Sequence, residues 1–69
     1  MNKFAERLGE VLNKQEMSQN KLANTLNTTQ QTISSWTLGK QEPSFDTLLR
    51  ICLELGVDPN FLLGYDELR

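Results

Sequence analysis

Three residues, Asn27-Thr28-Thr29, separate two apolar series of helical spacing, and this short break constrains the fold more than any other feature of the chain. Before it, Leu22, Ala23 and Leu26 fall on one helix face; after it, Ile33 and Trp36 stand at i and i+3. So brief a connection makes the two helices a helix-turn-helix candidate. Asn27 tolerates the left-handed backbone that a sharp exit demands. Ala23 is small, which lets the second helix cross close over the first. Ser18 offers a side-chain oxygen to cap the helix opening at Gln19, and Thr29 does the same for the helix running from Gln30 to about Leu38. With Ile33 and Trp36 turned inward, Gln30, Gln31, Ser34 and Ser35 point out.

The rest of the chain keeps the helical period. Phe4, Leu8, Val11 and Leu12 form one stripe of a first helix. Gly39 supplies the positive φ that ends the helix begun at Gln30, and Pro43-Ser44 marks a loop and a new cap. Phe45, Leu48, Ile51, Cys52 and Leu55 make the cleanest apolar stripe, closed by Gly56. Asp58 before Pro59 caps a short last helix through Phe61, Leu62 and Leu63. Gly64 ends it, and residues 65–69 are expected to fray as a C-terminal tail. The expectation is an all-α, compact five-helix bundle occupying residues 1–64.

Several function classes fall away. The chain has no histidine and a single cysteine, so neither a disulfide nor a zinc or haem site on the usual ligands is available. No cofactor is expected. Cys52 lies on the core stripe without a base beside it, no glycine-rich loop follows a strand, and no catalytic constellation emerges, so the chain is not read as an enzyme. No segment approaches the ~18–20 continuous apolar residues of a membrane span. Glu6, Arg7 and Glu10 interrupt any apolar signal core at the N-terminus, which points to a soluble cytoplasmic protein.

Net charge is −2. Its distribution is uneven: Met17 to Gln41 holds two lysines and no acid, whereas Ile51 to Arg69 holds four acids and one arginine. The middle can therefore admit a polyanion, without being a strong basic patch. The helix after Thr29 carries Gln, Thr and Ser where a merely solvated face carries Glu and Lys. A glutamine amide can donate to N7 and accept from the N6 amine of adenine, a bidentate pair of about 1–3 kcal/mol discrimination. Thr29 and Gln31 also offer CH groups to a thymine methyl.

SQNKLANTLNTTQQTISSWTLGKQEPS, followed by the Phe45–Leu55 stripe, resembles the phage repressor and Cro-like helix-turn-helix family, also called the XRE family. The resemblance runs from Phe4 to Gly64. It rests on Ser18-Gln19, Leu22-Ala23, Thr32 to Trp36, Gly39-Lys40, Pro43-Ser44 and Leu62 to Gly64, in order and at the right separations. It implies a lambda repressor-like fold, with residues 30–38 as a recognition helix in the major groove of a double-stranded DNA operator. Carried over, Thr29, Gln30, Gln31 and Ser35 become base-reading residues, and Ser18, Gln19 and Lys40 become phosphate contacts. The function implied is sequence-specific transcriptional regulation, repression by occluding an operator, of phage or mobile-element type. No small-molecule ligand is implied.

Trp36 is expected in the core rather than as a base-stacking platform, and Cys52 as a small buried hydrophobe. Lys3 and Arg7 can reach phosphate from the first helix. Phe61, Leu62, Leu63 and Tyr65 exceed one face of a short helix, so some are expected exposed, as a surface for homodimerisation on DNA. Half-sites of such an operator lie about 34 Å apart. Family members often carry an Arg late in helix one and a Glu just after the position of Trp36, as a buried ion pair. Here Leu12 and Thr37 stand at those places, and Leu12 is expected to pack near Thr37. Losing both partners together strands no buried charge. Leu38 also departs from the polar or basic residue common at its position. A rival reading is a protein–protein module of antitoxin or antirepressor type on the same fold, working through its acidic, apolar C-terminal end.

Overall fold

The computed structural model describes residues 3–68. It contains α1 (Lys3–Lys14), α2 (Gln19–Leu26), α3 (Gln30–Thr37), α4 (Phe45–Leu55) and α5 (Pro59–Leu63), followed by one 3₁₀ turn, Tyr65–Leu68. No strand occurs among the described residues. The expected all-α five-helix bundle is what the chain forms.

Side-chain caps start the helices where expected. Ser18 accepts from the Lys21 N–H, Thr29 from Thr32, Ser44 from Thr47 and Asp58 from Asn60. Each bond satisfies one of the amide donors that a helix start leaves without a partner. The ends close by left-handed residues. At the end of α2, Asn27 has φ 59°, and the Thr28 N–H reaches back to the Ala23 carbonyl at 2.8 Å. At the end of α1 the same closure falls on Glu16, with φ 54° and the Met17 N–H on the Leu12 carbonyl at 2.9 Å. Leu38 is the cap of α3, so that helix stops one residue before the expected boundary.

One core joins all five helices. Phe4, Leu8, Val11 and Leu12 of α1 meet Leu22, Ala23 and Leu26 of α2, Ile33 and Trp36 of α3, Leu48, Ile51, Cys52 and Leu55 of α4, and Leu62 of α5. Met17 and Val57 pack against its margin. α3 rests on α2 and α1, which fixes its outward face. Leu12 is in this core. Thr37 is half-buried, and its hydroxyl donates to the Ser34 carbonyl at 2.9 Å.

Several expectations need correction. Phe45 does not join the core: it is 86 % exposed, because it opens α4 one turn before that helix reaches the bundle. Leu62 is fully buried at 0 % and offers nothing to a second molecule. Arg7 does not reach for phosphate. It is 8 % exposed, with its guanidinium turned into the C-terminal segment.

There Arg7 donates to the Phe61 carbonyl at 2.5 Å, to Asp66 Oδ1 at 2.6 Å and to Glu67 Oε2 at 2.8 Å. It also stands over the Phe61 ring, 4.4 Å from its centroid. Lys3 adds bridges to Glu6 at 3.0 Å and Glu67 at 3.1 Å. This clasp orders Tyr65–Leu68 against α1, where fraying was expected. Arg69 lies outside the described residues. Asp66 is held below the ordinary carboxylate range, chiefly by the hydrogen bond from Arg7.

Candidate nucleic-acid interface

Burial of Ile33 and Trp36 turns the opposite edge of α3 to solvent, and Thr29, Gln30 and Gln31 are exposed there. None carries charge. Thr29 does two jobs at the helix start: its hydroxyl oxygen accepts from the Thr32 N–H at 3.2 Å and shares a hydrogen bond with the Thr32 hydroxyl at 2.9 Å. The cap thus holds the Thr29 side chain in one place at the head of the exposed edge.

Gln30 is held from the neighbouring helix. Its Nε2 donates to Gln19 Oε1 at 2.6 Å, and Gln19 Nε2 donates in turn to the Thr37 hydroxyl at 3.4 Å. This chain fixes which way each amide faces. A primary amide has two N–H donors and one carbonyl acceptor. After these bonds, Gln30 keeps one N–H and its Oε1, the two groups a bidentate contact to adenine requires. Gln19 keeps one N–H, at the start of α2, where the amide donors and the positive end of the helix dipole favour an anion.

Ser35 stands apart from the other expected base readers. It is half-buried, and its hydroxyl donates to Gln41 Oε1 at 3.2 Å. Its carbonyl accepts from the Lys40 N–H at 2.9 Å and the Gln41 N–H at 3.4 Å. Ser35 therefore ties down the turn carrying Lys40, whose side chain is exposed. Gln31 is exposed beside Gln30, and Ser18 is exposed with its hydroxyl oxygen accepting at the cap of α2. The structure thus joins Gln19 with Gln30 and Ser35 with the Lys40 turn, while Thr29 and Ser18 act as caps.

Two features escaped the sequence reading. The Gln19–Gln30 bond was open to inference, since both residues are the first of their helices and the turn between them is short. Gln41 carried no periodic signal, because it lies in the loop after α3.

Comparisons with known proteins bear on this arrangement. A helix-turn-helix family profile (HTH_3) matches residues 8–62, most of the chain. No curated protein matches it. Among solved structures, the P22 c2 repressor in complex with synthetic operator 9T superposes with a TM-score of 0.81 and 27 % identity, over 87 % of this chain and 91 % of that one. The restriction-modification controller protein C.AhdI from Aeromonas hydrophila superposes at 0.79 with 25 % identity, with the same coverage of 87 % and 91 %. The two-helix unit at α2 and α3, the surrounding bundle and the family match agree: the chain belongs to the helix-turn-helix family of XRE type.

Proposed function

We infer that the chain is a sequence-specific, double-stranded-DNA-binding transcriptional regulator that inserts α3 into the major groove and represses by occupying its operator. One observation carries this reading. The edge of α3 opposite Ile33 and Trp36 is exposed, uncharged and rich in amide and hydroxyl groups, and its leading glutamine is held in place from α2. Two structural relatives are regulators, and one of them holds an operator.

In this reading Gln30 reads adenine with its remaining N–H and Oε1, and Thr29 and Gln31 flank it. Gln19 bridges from Gln30 to phosphate, so registry on the backbone and base readout share one hydrogen-bonded unit. Ser18 places the start of α2 at the same strand. Lys40, on the turn held by Ser35, supplies charge at the other end of α3. Ser35 contributes more through that turn than through direct base contact. Regulation needs no catalysis: occupancy excludes competing proteins from the site. Cytoplasmic localisation follows from access to DNA, and no helix is long and apolar enough to cross a membrane among the described residues.

In the antitoxin-like alternative the acidic end is the working surface, and two of its carboxylates, Asp66 and Glu67, are already engaged by Arg7 and Lys3. Selection of duplexes from a random pool tests the regulator reading. A defined site containing A·T pairs, bound with an affinity that falls as salt rises, is the expected result. Equal retention of all sequences would overturn it.

A further inference from the structure

Gln30 and Thr37 are the first and last residues of α3, about two turns apart, and Gln19 of α2 bonds to both. Each bond has a direction that chemistry dictates. The Ser34 carbonyl can only accept, so the Thr37 hydroxyl donates its one proton there, at 2.9 Å. With that proton committed, the hydroxyl can only accept from Gln19, which must offer Nε2, at 3.4 Å. Gln19 Oε1 is thereby turned to Gln30, and Gln30 must answer with Nε2, at 2.6 Å. A backbone carbonyl in the last turn of α3 thus sets the polarity of two side-chain amides in succession.

Polarity decides which base suits Gln30. Held in this way, its amide presents one N–H and Oε1. Adenine offers N7 as acceptor and N6–H as donor, and matches both groups. Guanine offers two acceptors, N7 and O6, so Oε1 would face O6 with no proton between them. A Gln19 amide free to turn over would present Nε2 to Gln30 instead. Gln30 would then accept with Oε1 and keep both N–H donors for guanine. The pair of amides alone is therefore ambivalent, and the hydroxyl at position 37 removes the ambivalence. Thr37 itself is half-buried at the far end of α3, whereas base contacts come from the first residues of such a helix.

We propose that Thr37 is a positioning residue that sets adenine over guanine at the base pair facing Gln30, by fixing the direction of the Gln19 and Gln30 amides without touching DNA. The proposal rests on the regulator reading and adds to it a determinant of specificity outside the base-reading edge.

Competition binding of the full chain, with A·T or G·C placed at each position of its selected site, tests the proposal. The natural chain prefers A over G at a position where Gln30→Ala loses that preference, which identifies the pair. Thr37→Val keeps the shape of the side chain and removes the hydroxyl. It lowers the A-over-G ratio at that pair by about tenfold and leaves the ratios elsewhere unchanged. Thr37→Ala, a second variant without the hydroxyl, does the same, and Thr37→Ser keeps the natural ratio. Gln19→Glu added to Thr37→Val restores the ratio, because a carboxylate only accepts and Gln30 must again donate to it. Affinity of that double variant for every duplex falls, since the new charge repels phosphate. A merely structural role for Thr37 lowers the melting temperature and weakens all duplexes alike, with no change of ratio and no rescue by Gln19→Glu. A natural A-over-G ratio in Thr37→Val overturns the proposal and leaves the regulator reading standing. So does a double variant no better than Thr37→Val. Absence of base preference at every position in the natural chain overturns the regulator reading, and the proposal with it.

Discussion

In the proposed reading, Gln30 concentrates specificity in one side chain that another side chain holds still. The hydrogen bond it donates to Gln19 fixes the amide before DNA arrives, so little rotamer entropy remains to be lost on binding. Gln30→Ala is expected to weaken binding to the preferred duplex by about 1–3 kcal/mol and to relax preference at one base pair, read by competition with duplexes substituted at each position. Lys40→Ala is expected to weaken all duplexes alike and to lower the slope of log affinity against log salt by about 1. The exposure of Thr29, Gln30 and Gln31 was legible in the sequence, because Ile33 and Trp36 orient the helix and leave those three outside. Arg7 was not. Its partners lie far along the chain, and an arginine on an amphipathic helix reads as solvated until its carboxylates are placed. Cys52 was legible as core from its stripe; burial also pushes its thiol up. A maleimide is accordingly expected to label the native protein slowly and the denatured protein at once, and equal rates would show that α4 opens readily.

At the level of the elements, helix starts were the most readable signals, because a Ser, Thr or Asp cap acts through a local bond. Helix ends were readable where Asn or Gly supplied the left-handed residue. The end of α1 was hidden, since Glu16 takes that conformation without the usual residue type. Glu16→Gly is therefore expected to raise stability by about 1 kcal/mol, as a rise in the urea midpoint at constant slope. Gly64 is more constrained. It has φ 79°, and a Cβ there would fall on the Lys3 side chain, whereas a Cβ at Gly56 meets nothing. Gly64→Ala is expected to destabilise more than Gly56→Ala, and the reverse order of melting temperatures would contradict the packing of Tyr65–Leu68 onto α1. The 3₁₀ turn itself was illegible: four residues with no periodicity are held through Arg7 and Lys3, at the far end of the chain.

For the whole molecule, charge is the thin resource. Net charge is −2, and the exposed lysines near α3 are Lys21 and Lys40, so in the proposed reading operator affinity draws on shape and a few phosphate contacts more than on bulk charge. The Arg7 clasp makes stability depend on acidity. Asp66 is lowered in the folded state, so its contribution is complete above the ordinary carboxylate value of about 4 and is lost as pH falls through the lower folded value. Arg7→Gln is expected to move the acid-unfolding midpoint to higher pH; an unchanged acid limb would show that the clasp does not support the fold. The most direct test of the central claim, that the uncharged edge of α3 reads bases, is parallel selection from one random duplex pool with the natural chain and with Gln30→Ala. The account predicts a defined site containing A·T pairs for the natural chain and the loss of preference at an A·T pair for the variant. Identical selected sites from the two proteins would contradict it.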